Sequence, residues 1–359
     1  MNLTEFDFTL PEELIAQAPL ADRAASRMLV VDRARGCWED RQFRDLPAYL
    51  GAGDCLVLND SRVFPARLFG HRAGAHALPI GKKNPARHEY LTGEVEVLLL
   101  RPVDSAAREW EALVHPGKKM RVGERVRFAD GLEAEVIARR EFGERTLRFH
   151  TDADLYDELE KIGHVPLPPY IKRRDETADR ERYQTVFAHE KGSAAAPTAG
   201  LHFTPQVLDA CRARGAEIAF VTLHVGLGTF QPIHCQNDAE QVEGHRLHRE
   251  HYSITADNAA RMQAALRLVA VGTTSVRSME SAMRSGGLRE ASGETDLFIY
   301  PGFEFRATGA MLTNFHLPRT SLLLLVCAFA GKDLALAAYR HAVEERYRFY
   351  SYGDCMLIV

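Results

Sequence analysis

The strongest constraint on the fold is a block of short β-type segments. It interrupts a chain whose other parts have a different hydrophobic pattern. Between Arg62 and Phe149, alternating or β-rich runs such as "GEVEVLLLRP" and "LEAEVIARR" are broken by Gly or Pro. The breaks recur about every 8–12 residues, a spacing that is typical of all-β folds. The block therefore predicts a small antiparallel β-barrel.

The sequence on either side of this block alternates strands with helices. "RMLVVDR" and "DCLVLND" predict strands before it, and "EIAFVTLHV" and "LVAVGTT" predict strands after it. Helices are predicted near 152–162, 205–214, 256–267, 274–284, 319–329 and 333–345. The predicted fold class is an α/β main domain with an inserted small antiparallel β-barrel domain. The α/β catalytic domain is discontinuous, at 1–62 and 151–359, and the barrel domain spans 63–150.

Composition narrows the class of protein. A chain of 359 residues that is 46% hydrophobic can bury a sizeable core. No apolar run reaches the roughly 18–20 residues of a membrane helix, and "MNLTEFDFTL" lacks the features of a secretory signal. The six cysteines form no C-x-x-C pair, which disfavours a zinc ribbon and a disulfide framework. We expect a cytoplasmic protein that does not contact a membrane.

The charge is distributed unevenly. The formal net charge is −4, but residues 61–150 contain 17 Lys and Arg against 12 Asp and Glu, so this block is +5 and the remainder is −9. The turns "GKKNPAR" and "HPGKKMR", the second with Lys118 and Lys119, resemble barrel turns that contact phosphates. A second candidate is the arm from 164 to 183, which carries Tyr170 and Tyr183 among basic and acidic residues. Its mixed charges also fit a solvated helix face.

Two loops combine small residues with a histidine. "GSAAAPTAGLHFTP" (192–205) contains His202, and "VTLHVGLGTFQP" (221–232) contains His224. Loops of such small residues let a ligand touch backbone N–H groups directly. For the first loop, the alternative to a binding site is a tight turn with a buried His202. For the second loop, the alternative is that His224 is a core histidine at the end of a strand. Dinucleotide binding is disfavoured, because the third glycine is absent and Pro232 ends any following helix.

Two further stretches place polar residues beside predicted core. "LVAVGTTSVRSMES" is a strand that opens into Gly, Thr and Ser at the start of a helix, which is the form of an anion site. Arg277 and Glu280 are three residues apart on that helix and therefore share a face. The alternative to a role in a binding site is a salt bridge between these two side chains on the surface. "LTNFHLPRTSLLLLV" puts Asn314 and His316 in a loop before an apolar helix.

Taken in order, the longer strings of this chain resemble a known family. They include "FDFTLPEELIAQAPLADR", "DCLVLNDSRVFPARLFG", "WEALVHPGKKMRVGE", "GSAAAPTAGLHFTPQVL", "VTLHVGLGTFQP", "LTNFHLPRTSLLLLVCAFAG" and "YRFYSYGDCMLI". Together they resemble the S-adenosylmethionine:tRNA ribosyltransferase-isomerases of queuosine biosynthesis over essentially the whole chain.

The resemblance implies a transferase that uses S-adenosylmethionine as co-substrate and needs no metal. Such an enzyme transfers and isomerises the ribosyl moiety onto 7-aminomethyl-7-deazaguanine at the wobble position of tRNA. The products are epoxyqueuosine-tRNA, adenine and methionine. The implied partner is tRNA carrying the modified wobble base, and we expect a monomer.

The implied chemistry suggests roles for the residues above. The sulfonium acidifies the adjacent 5′ C–H, so a neutral histidine near it is suited to take that proton, with His202 as first choice and His224 as second. Arg277 would clamp the methionine carboxylate, and Glu280 would bind the ammonium or orient the clamp. The catalytic candidates are His202, His224 and Glu280. The candidates for S-adenosylmethionine binding are Thr198, Gly200, Gly226, Gly228, Thr229, Thr273, Thr274, Arg277, Asn314 and His316.

Recognition of the RNA calls for extrusion of the wobble base into a pocket. Aromatic faces such as Tyr170 and Tyr183 suit stacking, and the "NDSR" segment suits contact with the deazaguanine edge. The RNA-binding candidates are Asn59, Asp60, Arg62, Lys118, Lys119, Tyr170, Lys172, Arg173 and Tyr183.

Two other classes of function are weighed against this reading. An S-adenosylmethionine methyltransferase for small molecules would release S-adenosylhomocysteine and would need no basic domain. A non-catalytic RNA-binding protein would need only the barrel and would leave the His and Thr loops without a purpose.

Overall fold

The fold is described from a computed structural model of the chain, which describes residues 1–73, 94–104, 108–140, 143–226, 242, 245, 247 and 249–359. The strands in this part are β1 (Arg27–Asp32), β2 (Cys37–Gln42), β3 (Asp54–Asn59), β4 (Ser61–Val63), β5 (Arg67–Arg72), β6 (Glu94–Pro102), β7 (Glu109–His115), β8 (Arg125–Arg127), β9 (Glu133–Arg139), β10 (Arg145–His150), β11 (Glu190–Ser193), β12 (Glu217–Leu223), β13 (Glu250–Ile254), β14 (Arg267–Val271), β15 (Ala291–Thr295), β16 (Thr308–Asn314) and β17 (Cys355–Ile358). The α-helices are α1 (Leu155–Ile162), α2 (Asp179–Arg182), α3 (Pro205–Ala213), α4 (Ala256–Ala264), α5 (Thr273–Arg284), α6 (Ser321–Ala330) and α7 (Lys332–Glu344).

The main domain is built on one mixed sheet of nine strands. Their order is β15-β13-β12-β3-β14-β16-β17-β1-β2. The central strands β12, β3, β14 and β16 run parallel, as do β1 and β17. Every residue of β3 is buried, because the sheet is covered on both faces, and this explains its continuous apolar sequence.

Alternate residues of the sheet enter two separate cores. Val57 belongs to the core on the side of α5, α6 and α7, whereas Leu56 and Leu58 belong to the core on the side of α3. This alternation is the two-residue period of a strand. The parallel arrangement places the carboxyl ends of β3, β12, β14 and β16 at one edge, where loops meet.

The inserted block forms a closed antiparallel barrel in the order β10-β7-β6-β5-β8-β9. Its own core includes the fully buried Trp110, and Leu155 and Leu159 of α1 pack against that core. The predicted fold class is therefore confirmed. The barrel strands run from Arg67 to His150, and the domain limits at 63 and 150 stay a prediction.

Hydrogen bonds and an ion pair join the barrel to the main domain. The backbone of Arg67 in β5 exchanges hydrogen bonds with that of His164, at 3.2 and 2.8 Å. Arg101 of β6 forms an ion pair with Glu294 of β15 at 3.1 Å. Between the domains, β4 and β11 form a parallel two-stranded sheet.

Most helices begin where their capping residues indicate. Thr204, Thr255 and Thr320 each accept a hydrogen bond from a first-turn N–H of α3, α4 and α6 respectively. The helices predicted near 205–214, 256–267 and 274–284 correspond to α3, α4 and α5, and they are confirmed within a few residues. No single helix in the described part is long and apolar enough to cross a membrane, although α6 and α7 meet that test together as a pair bent by 116°.

Candidate active site

Six stretches that are far apart in sequence meet in one narrow cavity at the carboxyl edge of the sheet. The cavity is lined by Tyr170, Ala196, Pro197, Thr198, Ala199, Val225, Gly272, Thr273, Thr274, Thr313, Asn314, His316, Leu322, Tyr350 and Ser351. Five of the residues predicted to bind S-adenosylmethionine are among them, namely Thr198, Thr273, Thr274, Asn314 and His316. The cavity volume is about 40 Å³, which is little more than the space of one water molecule.

The amino terminus of α5 forms one wall of the cavity. Gly272 precedes the helix with φ of 86°, a conformation that favours glycine. The first N–H groups of a helix have no partner within it, and the helix dipole attracts negative charge there. Thr274 adds a buried hydroxyl that has no hydrogen-bond partner among the described residues. A buried hydroxyl of this kind indicates a polar ligand at this wall.

His316 is the histidine that lines the cavity. Its Nε2 lies 2.9 Å from Oγ1 of Thr313, and its Nδ1 contacts no hydrogen-bonding atom of the described residues. Burial lowers the pKa of His316 to about 3. The ring is therefore neutral at pH 7 and has one nitrogen available to a ligand.

His202 lies behind the cavity wall and is fully hydrogen-bonded. Its Nδ1 is 2.8 Å from Oγ of Ser26, and its Nε2 is 3.0 Å from Oδ1 of Asn314. The Asn314 amide nitrogen donates to the carbonyls of Tyr350 and Ser351, so its oxygen must face His202 and Nε2 must carry the proton. Burial lowers the pKa of His202 to about 4. His202 thus orients Asn314, and the geometry leaves it no free nitrogen for a base.

His224 follows β12 but does not line the cavity, although its neighbour Val225 does. Its ring lies against Gly192, where a side chain would approach it to 3.1 Å, and its buried Nδ1 has no partner in the part of the chain that the structure describes. Burial, together with the nearby His251, lowers the pKa of His224. The role of His224 as second candidate base stays a prediction.

Arg277 and Glu280 do not pair with each other and do not reach the cavity. Nη1 of Arg277 donates to Oε2 of the buried Glu250, and Nε donates to the carbonyl of Leu297 at 3.1 Å. Oε1 of Glu250 accepts from the N–H of Gly226 at 2.9 Å. Arg277 is therefore engaged by a carboxylate of its own chain through Nη1, and its role as a clamp on the methionine carboxylate stays a prediction.

The carboxylate of Glu280 is held by backbone and side-chain donors of its own chain. It accepts hydrogen bonds from the N–H groups of Arg306, Ala307 and Thr308 and from Oγ1 of Thr308, at 2.9–3.1 Å. Glu280 is completely buried. It holds the chain that leads into β16, and this is a structural task.

Three glycines and one threonine of the prediction remain to be placed. Gly200 packs against Thr185 and Phe187, where a side chain would come within 2.8 Å of both, so its small size serves packing. Gly226 is tied to Glu250, as described above. Gly228 and Thr229 lie outside the described residues.

The residues predicted to bind RNA are divided between surface and interior. Lys118, Lys119 and Arg62 are exposed. Lys172 and Arg173 form ion pairs with Glu12 and Asp179. Their phosphate-binding roles stay predictions.

The remaining candidates are less available. Tyr183 is completely buried, which is at odds with the predicted stacking on a base. Asn59 is buried and bonded to the backbone of Leu223 through both amide atoms, so it stabilises the end of β12. Asp60 accepts from Oγ1 of Thr222 at 2.7 Å, and burial raises its pKa. Tyr170 lines the cavity and packs edge-on against Tyr350.

Sequence reasoning did not assign Tyr350 and Ser351 to the site. Both lie in the string "YRFYSYGDCMLI", just before β17, and the placement of β17 beside β16 brings them to the cavity. Tyr350 has φ of 74°, an uncommon value for a residue other than glycine. Among the described residues, no group of three or more His, Cys, Asp and Glu side chains has a geometry that could hold a metal ion.

The two buried neutral histidines predict how stability depends on pH. The folded-state pKa of His202 is about 4 and that of His316 is about 3, whereas an unfolded histidine has a pKa near 6.5. Between these values the unfolded chain binds more protons, so the free energy of unfolding rises with pH. We expect each histidine to cost about 2 kcal/mol of stability between pH 7 and pH 5.

Urea unfolding at both pH values measures this effect. The His202→Gln variant should lose a smaller part of its stability between pH 7 and pH 5 than the wild type. An identical pH dependence in the variant would show that His202 is protonated in the folded state.

Comparison with known proteins agrees with this arrangement. Residues 3–358 match the model of a family described as queuosine biosynthesis protein. An S-adenosylmethionine:tRNA ribosyltransferase-isomerase of Solibacter usitatus is 71% identical over 359 residues, and one of Symbiobacterium thermophilum is 50% identical, each over the whole of both chains. The solved structure of an S-adenosylmethionine tRNA ribosyltransferase from Thermotoga maritima is 36% identical, with a TM-score of 0.54, over 99% of this chain and 100% of that one.

These matches span both the sheet domain and the barrel, and they include every loop of the cavity. The chain therefore belongs to the queuosine biosynthesis family of S-adenosylmethionine:tRNA ribosyltransferase-isomerases.

Proposed function

We propose that this protein transfers and isomerises the ribosyl moiety of S-adenosylmethionine onto 7-aminomethyl-7-deazaguanine at the wobble position of tRNA. The products are epoxyqueuosine-tRNA, adenine and methionine. The observation that carries the proposal is the convergence of the Thr198, Thr273–Thr274 and Asn314–His316 loops in one cavity, in a chain that matches the family over its full length.

The methionine carboxylate would lie at the amino terminus of α5. The first-turn N–H groups and the unpartnered hydroxyl of Thr274 offer donors to an anion there. This assignment replaces Arg277, whose guanidinium is engaged by Glu250. The small and neutral walls at Pro197–Ala199 suit a cationic sulfonium, because they place no positive charge beside it. A pocket for a ligand of this size has a volume of about 300–1,000 Å³, so the cavity must widen on binding.

Within this proposal His316 is the base that takes the 5′ proton. Its low pKa reflects the cost of charging a buried ring. Removal of the proton converts the cationic sulfonium into a neutral ylide and the neutral ring into a cation. The net charge of the pocket is unchanged by this transfer, so the burial cost of the imidazolium is largely offset by the loss of the sulfonium charge.

Thr274 provides a direct test of ligand binding. Thr274→Val removes a buried hydroxyl that has no partner, so the free protein should be equally stable or more stable, by up to about 1 kcal/mol. The same change should weaken S-adenosylmethionine binding about tenfold, because one hydrogen bond to a charged group is lost. Thermal unfolding and calorimetric titration measure the two effects, and Thr274→Ser is the control that keeps the hydroxyl. Weaker stability with unchanged binding would contradict the assignment.

The tRNA would contact the barrel through Lys118 and Lys119 and would reach the cavity beside Tyr170. The basic character of the 61–150 block against an acidic remainder supports this arrangement, because nucleic-acid binding depends on clustered positive charge. Arg62 and Asp60 stand next to the junction of the domains and are proposed to contact the flipped base. We propose that the protein works as a monomer in the cytoplasm.

The reaction is tested by following adenine and methionine release from S-adenosylmethionine in the presence of tRNA that carries the aminomethyl-deazaguanine. Stoichiometric release of both, with a mass gain on the modified tRNA and none on unmodified tRNA, is the expected result. Formation of S-adenosylhomocysteine would instead show methyl transfer. Tight tRNA binding with no product would leave an RNA-binding protein.

A further inference from the structure

A much larger cleft opens on the barrel, away from the cavity described above. Its volume is about 1030 Å³, at the upper end of the size of sites that hold small organic ligands. The floor is apolar and includes Leu98, Leu113 and Met120. The rim carries Lys118, Arg121 and Arg139, and all three side chains are exposed.

The positive charges on this rim differ from those elsewhere on the barrel. Arginines on the barrel strands are commonly neutralised by a carboxylate, as in the pairs Arg72–Glu124, Arg125–Glu135, Arg127–Glu133 and Arg148–Glu109. Lys118, Arg121 and Arg139 have no carboxylate partner among the described residues. Unneutralised cations around an apolar floor complement a ligand that has both a phosphate and a base.

Buried Arg145 holds the walls of the cleft in place. Its guanidinium donates to four backbone carbonyls, those of Gly117, Met120, Gly143 and Glu144, at 2.7–2.9 Å. The turn at 117–120 and the turn at 143–144 are therefore tied to one side chain. A wall that is fixed before binding lowers the entropic cost of binding.

The cleft and the candidate active site are separated by a single peptide bond. Pro169 lines the cleft, and Tyr170 lines the cavity. Their Cα atoms are about 3.8 Å apart, as in any trans peptide. Arg67, which also lines the cleft, fixes this arm to the barrel through its backbone bonds to His164 and through a 2.9 Å bond from Nη2 to the carbonyl of Leu167. The arm that lines both pockets is therefore bonded to the barrel.

We propose that the barrel cleft binds a nucleotide that is adjacent to the wobble nucleotide in the anticodon loop. The phosphate lies against Lys118, Arg121 and Arg139, and the base lies on the apolar floor. The wobble nucleotide then crosses Pro169–Tyr170 to enter the active site. This inference rests on the proposed function for the identity of the RNA, and single-stranded loops are the RNA elements whose bases can be splayed apart in this way.

The charge part of the proposal is tested with the full-length Lys118→Gln/Arg121→Gln protein and the substrate tRNA. Two phosphate contacts on a single strand account for about 1.4 in the slope of log K against log salt, so the slope should become shallower by about that amount. Affinity at low salt should fall at least tenfold, while binding of S-adenosylmethionine is unchanged. Arg108→Gln/Arg148→Gln removes the same charge from a separate depression of the barrel and should bind tRNA as the wild type does.

The position of the nucleotide is tested by zero-length photo-crosslinking. A photoreactive nucleoside is placed immediately 5′ or 3′ of the wobble nucleotide, and the crosslinked peptide is identified by mass spectrometry. A crosslink from one of the two positions to residues 113–122 or 139–145 is expected. Crosslinks confined to the α/β domain, or unchanged affinity of the Lys118→Gln/Arg121→Gln protein, would overturn the proposal.

These measurements need no turnover, so their failure is distinct from failure of the proposed function. A protein that binds tRNA through the cleft but releases no adenine would contradict the function and leave the cleft assignment intact. A protein that completes the reaction but crosslinks elsewhere would contradict the cleft assignment alone.

Discussion

The His316→Gln variant should lose ribosyl transfer by about 10²–10⁴-fold, which is the usual contribution of a positioned general base. Glutamine keeps a polar group near Thr313 but cannot accept the 5′ proton. S-adenosylmethionine should still bind, with a Kd within a few-fold of the wild-type value. The exchange of the 5′ hydrogens of S-adenosylmethionine with deuterium from solvent reports the proton transfer itself, and it should disappear in the variant.

His202→Gln is the matched control. Both ring nitrogens of His202 are occupied by Ser26 and Asn314, so this change should lower the rate less than tenfold and should leave the deuterium exchange measurable. If instead His202→Gln abolishes exchange and His316→Gln does not, the base is His202, and the buried arrangement must open during turnover.

Breaking the ion pair between Arg277 and Glu250 should have the largest effect on stability. Both side chains are at least 95% buried, and Arg277→Met would remove the guanidinium that pairs with this carboxylate. Loss of one partner of a buried pair typically costs 3–5 kcal/mol, and we expect that decrease in the free energy of unfolding by urea. Since Glu250 also holds Gly226, S-adenosylmethionine binding should weaken as well.

The double variant Arg277→Met/Glu250→Gln separates this role from a direct contact with the substrate. Glutamine remains able to accept from Gly226 and carries no charge, so the double variant should recover a large part of the lost stability. An Arg277→Met protein of normal stability that fails to bind S-adenosylmethionine would restore Arg277 as the clamp on the carboxylate.

The local features of the sequence predicted several of the helices and strands around the cavity. Thr204, Thr255 and Thr320 cap helices close to the predicted starts, and the continuous apolar run of β3 is the central strand. Strands β2, β13, β15, β16 and β17 of the main sheet were not predicted. For β2 and β15 the reason is that half-exposed edge strands carry little hydrophobic pattern.

The roles of the polar residues depended on partners that are distant in sequence. His202 is held by Ser26, which is 176 residues away, and by Asn314, which is 112 residues away. Arg277 and Glu280 share a helical face as their spacing indicates, but stronger partners from β13 and from the segment before β16 take both side chains. Spacing along one helix identifies possible neighbours and cannot exclude partners that the tertiary fold supplies.

The position of the barrel within the main domain has a consequence for folding. β3 and β12 are adjacent in the sheet but are separated by more than 150 residues of chain, so joining them first would close a very long loop. The barrel is made of contacts that are local to its own segment, and the bridge between Arg67 and His164 then brings its ends together. Once this bridge has formed, the loop between β3 and β12 has less than half of its original length. The entropic cost of pairing the two strands is then lower by roughly 1 kcal/mol. An early barrel would therefore speed assembly of the sheet, and damage to it would slow the formation of a cavity whose described lining includes no barrel side chain.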